Sequence, residues 1–288
     1  MTTIDLSVLT LVRGRREHLM NMMRGLARQI RKPRELVIAW MADEPHVDLP
    51  ALPFPVRHVM VPGDPMPLAA ARNRAAETAT SENLVFLDVD CIPSPMLCAT
   101  YGDALSSDNA LFLSEVLYLE AHAVGARIDY ARLDRTGIPH PAKPFVPENG
   151  RVPEPDHGEL WGLCFGIRRS RWQAVGGMDE RFYGYGGEET DLAEKLRAAG
   201  VPLYWLGGAR AYHQHHVVHV PPLHHFEHIV RNAQLFFDKW RRFPMSYWLG
   251  QFADMGLVKL RSDSIEVLRL PTPTEISATK MPGDVRFS

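Results

Sequence analysis

Three groups of side chains in this chain have the types and spacing to do chemistry. The first is Asp88-Val89-Asp90, which follows the apolar run Leu84-Val85-Phe86-Leu87 and precedes Pro93 and Pro95. On a strand, positions i and i+2 share a face, so the two carboxylates are expected to point the same way, across a gap that one divalent cation could fill. Hard cations such as Mg²⁺ or Mn²⁺ take oxygen ligands, and a diphosphate would bring more of them. Two carboxylates at a buried strand end with no cation between them would raise each other's pKa. Acidic pairs of this spacing also arise by chance; the position at a strand end is what singles this one out.

The second group is Tyr183-Gly184-Tyr185-Gly186-Gly187-Glu188-Glu189-Thr190-Asp191. Its glycines permit unusual backbone angles and close approach of a ligand. Glu188 and Glu189 fall at the start of a helical pattern, where the macrodipole favours ionised carboxylates. A capped helix with an acidic first turn accounts for the acids but not for the glycine run between two tyrosines. A carboxylate base beside an acceptor hydroxyl, with tyrosine faces for a sugar, accounts for both.

The third group is histidine-dense. Residues 213–228 hold seven of the 13 histidines. His213-Gln214-His215 follows a strand-like segment, so both imidazoles are expected at one site, where they would favour Mn²⁺ over Mg²⁺. One or two of His213, His215 and His216 are expected as ligands. His219, His224, His225 and His228 read as packing or surface residues, with some lining a cleft.

These groups need a frame. Residues 4–12 read as a strand, 17–30 as a helix (Leu19, Met22, Met23, Leu26, Ile30), and 35–41 and 56–61 as strands. Residues 68–79 read as an alanine-rich helix and 84–89 as a fourth strand. This order implies an α/β fold with a mostly parallel sheet flanked by helices, whose ligands bind beyond the carboxyl ends of the strands. Residues 138–155 hold six prolines and read as a long irregular loop. A short helix at 172–175, a helix at 188–199, a strand at 201–206 and a helix at 226–240 follow. The last twenty or so residues read as a loosely packed tail.

Composition sets bounds. The chain has 288 residues, 45% of them hydrophobic, enough for a large core without disulfide staples. Cys91, Cys98 and Cys164 lack zinc-site spacing and read as free thiols. A formal net charge of −2 provides no field for nucleic acid or an anionic membrane. No signal peptide or transmembrane run is evident, so a cytoplasmic protein is expected. Oligomeric state is not legible.

Taken in order, the three groups resemble the GT-A fold glycosyltransferases, a Rossmann-like nucleotide-diphospho-sugar transferase architecture. The likeness is to family-2-type enzymes and to the branch of the beta-1,4-galactosyltransferases and polypeptide N-acetylgalactosaminyltransferases. It covers roughly residues 4–216. Arg13-Gly14-Arg15-Arg16-Glu17-His18-Leu19 is similar to the segment after that family's first strand. Ala71-Arg72-Asn73, Asp88-Val89-Asp90, Trp161-Gly162, Gly176 to Phe182, Gly186-Gly187-Glu188-Glu189 and His213-Gln214-His215 have counterparts in it too. The resemblance implies a metal-dependent hexosyltransferase, galactosyltransferase-like, moving a sugar from a nucleotide sugar, with UDP favoured, to a carbohydrate or glycoconjugate hydroxyl with inversion. It implies donor contacts from Arg13, Arg15, Asp43, Arg72, Asn73 and Asp88, and acceptor contacts from Trp161, Tyr183, Tyr185 and Glu188. It implies Mn²⁺ or Mg²⁺ on Asp90, His213 and His215, and Glu189 as catalytic base. The expected organisation is a catalytic domain at 1–216, with a nucleotide-sugar half at 1–100 and an acceptor half at 101–216. A helical extension at 217–260 and a tail at 261–288 follow.

The sequence departs from the family in two places. Glu189 stands where an aspartate is usual, and Tyr185 where tryptophan is frequent. The animal members carry an anchor and stem that this sequence does not show, which suggests a bacterial relative. Two rivals remain at this stage. A sugar-1-phosphate nucleotidyltransferase would need a glycine-rich loop with lysine, whereas residues 12–19 offer arginines and one glycine. A non-catalytic carbohydrate-binding relative would have lost the base or the ligands.

Overall fold

The computed structural model describes residues 3–283 and 285–287. Its first half runs β1 (Thr3–Val12), α1 (Arg16–Ala27), β2 (Lys32–Trp40), β3 (Val56–Met60), α2 (Leu68–Thr78) and β4 (Asn83–Leu87). β5 (Cys91–Pro93), α3 (Leu97–Ser107), β6 (Leu111–Tyr118), α4 (Tyr130–Thr136), β7 (Ile138–Pro139) and β8 (Arg151–Glu154) follow. Then come β9 (Cys164–Arg168), α5 (Arg169–Ala174), α6 (Glu188–Ala198) and β10 (Leu203–His213). The chain ends in α7 (Phe226–Trp240), α8 (Ser246–Asp254), β11 (Val258–Leu260), β12 (Ile265–Val267) and α9 (Pro273–Ala278).

The main sheet has the order β3-β2-β1-β4-β9-β6-β10-β5. Parallel pairing joins β1 to β2 and β4, β2 to β3, and β6 to β10, while β9 lies antiparallel between β4 and β6. The carboxyl ends of β1, β2, β4, β6 and β10 therefore share one edge. Arg13, Met41, Asp88 and the last residues of β6 and β10 emerge there.

Side-chain alternation along β1 feeds two cores. Leu6, Val8 and Val12 pack with Leu19, Met22, Met23 and Leu26 of α1 and with Leu97 and Leu105 of α3. Leu9 and Leu11 pack on the other face with Ala69, Ala71 and Ala75 of α2 and Leu192 and Leu196 of α6. Small alanines let α2 lie close to the sheet. A third core, with Phe226, Ile229 and Phe252, belongs to α7 and α8. All three cysteines are buried and free, and none of the described helices is long and apolar enough to cross a membrane.

Four expectations change. Helix α1 stops at Ala27 rather than residue 30, and Ile30 is 59% exposed. Strand β4 ends at Leu87, so Asp88-Val89-Asp90 occupies a turn, closed by the Cys91 amide donating to the Asp88 carbonyl at 2.9 Å. The proline-rich stretch is partly ordered: β7 pairs with β6 and β8 with β10, giving its backbone groups sheet partners. The tail is tied down as well. β11 pairs with β12, a capping box at Thr272 and Glu275 starts α9, and Arg286 donates to the carbonyls of Tyr118 and Thr136.

Candidate active site

The turn after β4 is brought to the histidines by a strand pair. β5 begins directly after Asp90 and pairs antiparallel with the end of β10, Cys91 opposite His213. The Gln214 amide donates to the Asp90 carbonyl at 2.7 Å. Buried Gln214 then clamps this corner to α1, accepting from Asn21 at 2.8 Å and donating to the His18 carbonyl at 3.1 Å. Sequence reasoning had no role for Gln214 or for β5, because Pro93 and Pro95 read as a stop.

Asp90 Oδ2 faces His213 Nε2 at 3.4 Å and His216 Nε2 at 3.5 Å. One ligand atom from each of these three residues lies within 4.8 Å of the others. His215 is displaced from its expected place. β10 ends at His213, so strand alternation no longer governs the residues beyond it; the His215 carbonyl accepts from His18, and its ring nitrogen Nε2 is buried without a partner. The ring that reaches Asp90 is that of His216. Burial, then Arg15, lowers the His216 pKa to about 4, which leaves a neutral imidazole with a free lone pair.

The two carboxylates of the turn are driven apart electrostatically. Burial and then Asp90 push Asp88 up to about 7. Burial opposes ionisation of Asp90 too, but His213, Arg15 and His216 outweigh it and hold the carboxyl well below its usual range. Arg15 makes a direct ion pair with Asp90 Oδ2. Arg13 is held at the cleft margin by the Gly63 carbonyl at 3.0 Å and by Asp64 at 3.2 Å.

The facing wall carries Glu188 and Glu189 in the first turn of α6. Gly186 and Gly187, each with φ of 93°, make the turn that starts this helix. Arg72 of α2, fully buried, ties the pair together: its Nη2 donates to Glu189 Oε1 at 2.5 Å and its Nη1 stands 3.5 Å from Glu188 Oε1. Burial, then Glu189, lifts Glu188 to about 7 against the opposing pull of Arg72. Gly162 makes room for this contact, since a Cβ there would lie 1.8 Å from Glu189 Oε1 and 2.4 Å from Arg72 Nη2. α7 braces the loop from behind: Asn232 donates to the carbonyls of Tyr183 and Gly186, while Lys239 and Trp240 hold Asp191.

Both walls bound one cleft of about 470 Å³. Arg13, Arg15, Arg72, Asp88, Asp90, Trp161, Tyr185, Glu188, Glu189, His213 and His216 all line it. So do Tyr118, His225, Trp248 and Arg286, which the sequence reading did not single out as site residues. Tyr185 stacks on His225 with ring centres 4.5 Å apart, and Lys143 Nζ sits 3.2 Å from the centre of the Trp161 ring. Asp43, Asn73, Tyr183 and His215 are not among the lining residues. Asp43 is an exposed loop residue. Asn73 spends its amide on the backbone of Met178 and on Glu180. Tyr183 lies under the Arg231 guanidinium, 3.5 Å from its ring centre.

One carboxylate and two imidazole rings suit a divalent transition ion that completes its shell with oxygens. The opposite wall offers a carboxylate with 27% exposure, open to a substrate hydroxyl.

One family model and several solved structures resemble this chain. The family model described as the N-terminal domain of galactosyltransferase matches residues 153–220, which include Trp161, both glutamates, His213 and His216. GalNAc-T7, crystallised with UDP, GalNAc and Mn²⁺, superposes with a TM-score of 0.54 at 15% identity, over 74% of this chain and 44% of its own. S. aureus TarS 1-349 superposes with a TM-score of 0.52 at 13% identity, over 80% of this chain and 64% of its own. The present chain thus spans less than half of the GalNAc-T7 chain. No curated protein sequence matches it.

Proposed function

We propose, from the GT-A glycosyltransferase fold as premise, that this chain transfers a sugar from a nucleoside-diphosphate sugar to a carbohydrate hydroxyl. The observation that carries the reading is a single cleft with a three-donor cation site on one wall and an arginine-held carboxylate on the other. Asp90, His213 and His216 would hold Mn²⁺, with Asp88 beside them for the ion or the ribose. When bound, the ion supplies positive charge to the departing diphosphate. UDP is the favoured nucleotide, in line with the ligands of the GalNAc-T7 neighbour. Arg13 and Arg15 add positive charge on the nucleotide side of the cleft. Trp161, Tyr185 and Trp248 offer apolar faces to sugar rings.

Glu189 takes the proton of the acceptor hydroxyl as its oxygen attacks the anomeric carbon from the side opposite the diphosphate, so configuration inverts. Glu188 is more deeply buried and its pKa is raised by burial, so in its protonated form it can donate a hydrogen bond to the acceptor. Arg72 serves these glutamates instead of the nucleotide.

The test pairs two variants with UDP-sugar hydrolysis and UDP binding in Mn²⁺. Glu189→Gln should bind UDP as the wild type does and lose at least about 100-fold in turnover. Asp90→Ala should lose Mn²⁺-dependent UDP binding. Normal turnover by the first would remove the base from the scheme, and unchanged metal-dependent binding by the second would remove the cation site. Binding by the wild type with no turnover of any nucleotide sugar would favour a carbohydrate-binding relative.

A further inference from the structure

Asp90 Oδ2 is contacted from three sides. His213 Nε2 and His216 Nε2 stand 3.4 Å and 3.5 Å from it, and the Arg15 guanidinium makes a direct ion pair with the same oxygen. A cationic group of the protein thus stands on the oxygen that a metal ion would need. The backbone is bent to deliver it. Gly14 and Arg15 both adopt left-handed conformations, with φ of 64° and 49°, at the start of α1. For a non-glycine residue that conformation is disfavoured, so the surroundings must stabilise it. Arg15 is also the more exposed member of its pair: its side chain is 37% exposed, against 4% for Asp90. Neighbouring Arg13 is already held by Gly63 and Asp64 and is not free to substitute.

We propose that Arg15 is an exchangeable counter-cation. It neutralises Asp90 in the metal-free protein, yields that oxygen to a divalent cation, and then pairs with an anionic oxygen of the donor diphosphate. This rests on the cation site read above. A divalent ion arriving alone must displace Arg15 and then face an unpaired guanidinium nearby. A diphosphate arriving alone must compete with Asp90 for Arg15. Arriving together, the two satisfy every charge, so each tightens the other by the same factor. Arg15 suits the exchange because its planar fork fits carboxylate and phosphate alike.

The experiment is a Mn²⁺ titration followed by the EPR signal of the free ion, with and without UDP, on wild type, Arg15→Met, Arg15→Lys and Asp90→Ala. Arg15→Met should bind Mn²⁺ alone up to about fivefold more tightly than wild type, the equivalent of losing one partly exposed competing pair. UDP should then tighten its Mn²⁺ binding by a smaller factor than in wild type. Arg15→Lys, which keeps the charge, should stay near wild type. If Arg15→Met gains no Mn²⁺ affinity while binding still depends on Asp90, the exchange is wrong and the cation site stands. An equal gain in Arg15→Lys would also overturn it, because bulk and not charge would be the cause. If Mn²⁺ binding does not depend on Asp90, the cation site itself fails and the exchange with it.

Discussion

Gly162→Ala tests the base wall with a single methyl group. The added Cβ would stand 1.8 Å from Glu189 Oε1 and 2.4 Å from Arg72 Nη2, whereas ordinary contact begins near 3.4 Å. The Glu189 carboxylate must therefore retreat by more than about 1.5 Å, and displacements of that order cost reactions roughly 100-fold. Arg72 Nη2, at 2.4 Å from the same methyl, must shift as well, and because it is buried and paired to both glutamates its shift disturbs the same wall. At 25 °C a 100-fold loss corresponds to about 2.7 kcal/mol of transition-state stabilisation. The assay is release of UDP from a UDP-sugar in Mn²⁺, with UDP affinity by calorimetry as the control. The variant should bind UDP within about twofold of wild type, because the methyl meets the base and not the cation site. Wild-type turnover in a folded variant would show that the position of Glu189 does not matter, and would refute both the clash and the base assignment.

Other outcomes follow from the same geometry. His216→Ala should weaken Mn²⁺ binding by at least about tenfold, while His215→Ala should leave it unchanged; the reverse result in the EPR titration would restore the His213 and His215 pair. Arg72→Met leaves two buried or half-buried carboxylates without their cation, and should lower stability by about 3 kcal/mol in urea unfolding; a wild-type midpoint would contradict the pairing. Glu188 gives a pH signature. Its folded pKa, about 7, lies above the ordinary 4.5, so its contribution to stability is full below about 4.5 and is lost as pH rises through 7. Glu188→Gln should therefore gain stability relative to wild type from about pH 5 to about pH 8, by at most about 3 kcal/mol. Parallel melting curves for the two proteins across that range would rule out the raised pKa.

The sheet was legible because its strands are apolar runs whose alternation matches two buried faces, as Leu6, Val8, Leu9 and Leu11 illustrate. Asp88, Asp90, Glu188 and Glu189 were legible because each sits where an element ends, and such ends carry composition signals: prolines after one pair, glycines before the other. What stayed hidden depends on contacts between distant segments. The choice of His216 over His215 follows from where β10 stops, which is set by its pairing with β5 and by Gln214. The partner of Arg72 could not be read from Ala71-Arg72-Asn73, because Glu188 and Glu189 lie more than a hundred positions away in the chain. The ordered tail escaped notice because its anchors, the Tyr118 and Thr136 carbonyls, carry no sequence signature at all.

Both functional walls follow one electrostatic design. Each holds a pair of acids brought close enough to repel, and each receives one arginine from the first third of the chain. Arg15 meets Asp90 from the start of α1, and Arg72 meets Glu188 and Glu189 from α2. Within each pair one acid is raised to about 7, Asp88 in one and Glu188 in the other. The difference lies in how the arginines are held. Arg72 is buried against both glutamates, whereas Arg15 is partly exposed beside Asp90. Four acids thus share one cleft with an arginine beside each pair, and Asp90 Oδ2 is the oxygen that also faces His213 and His216.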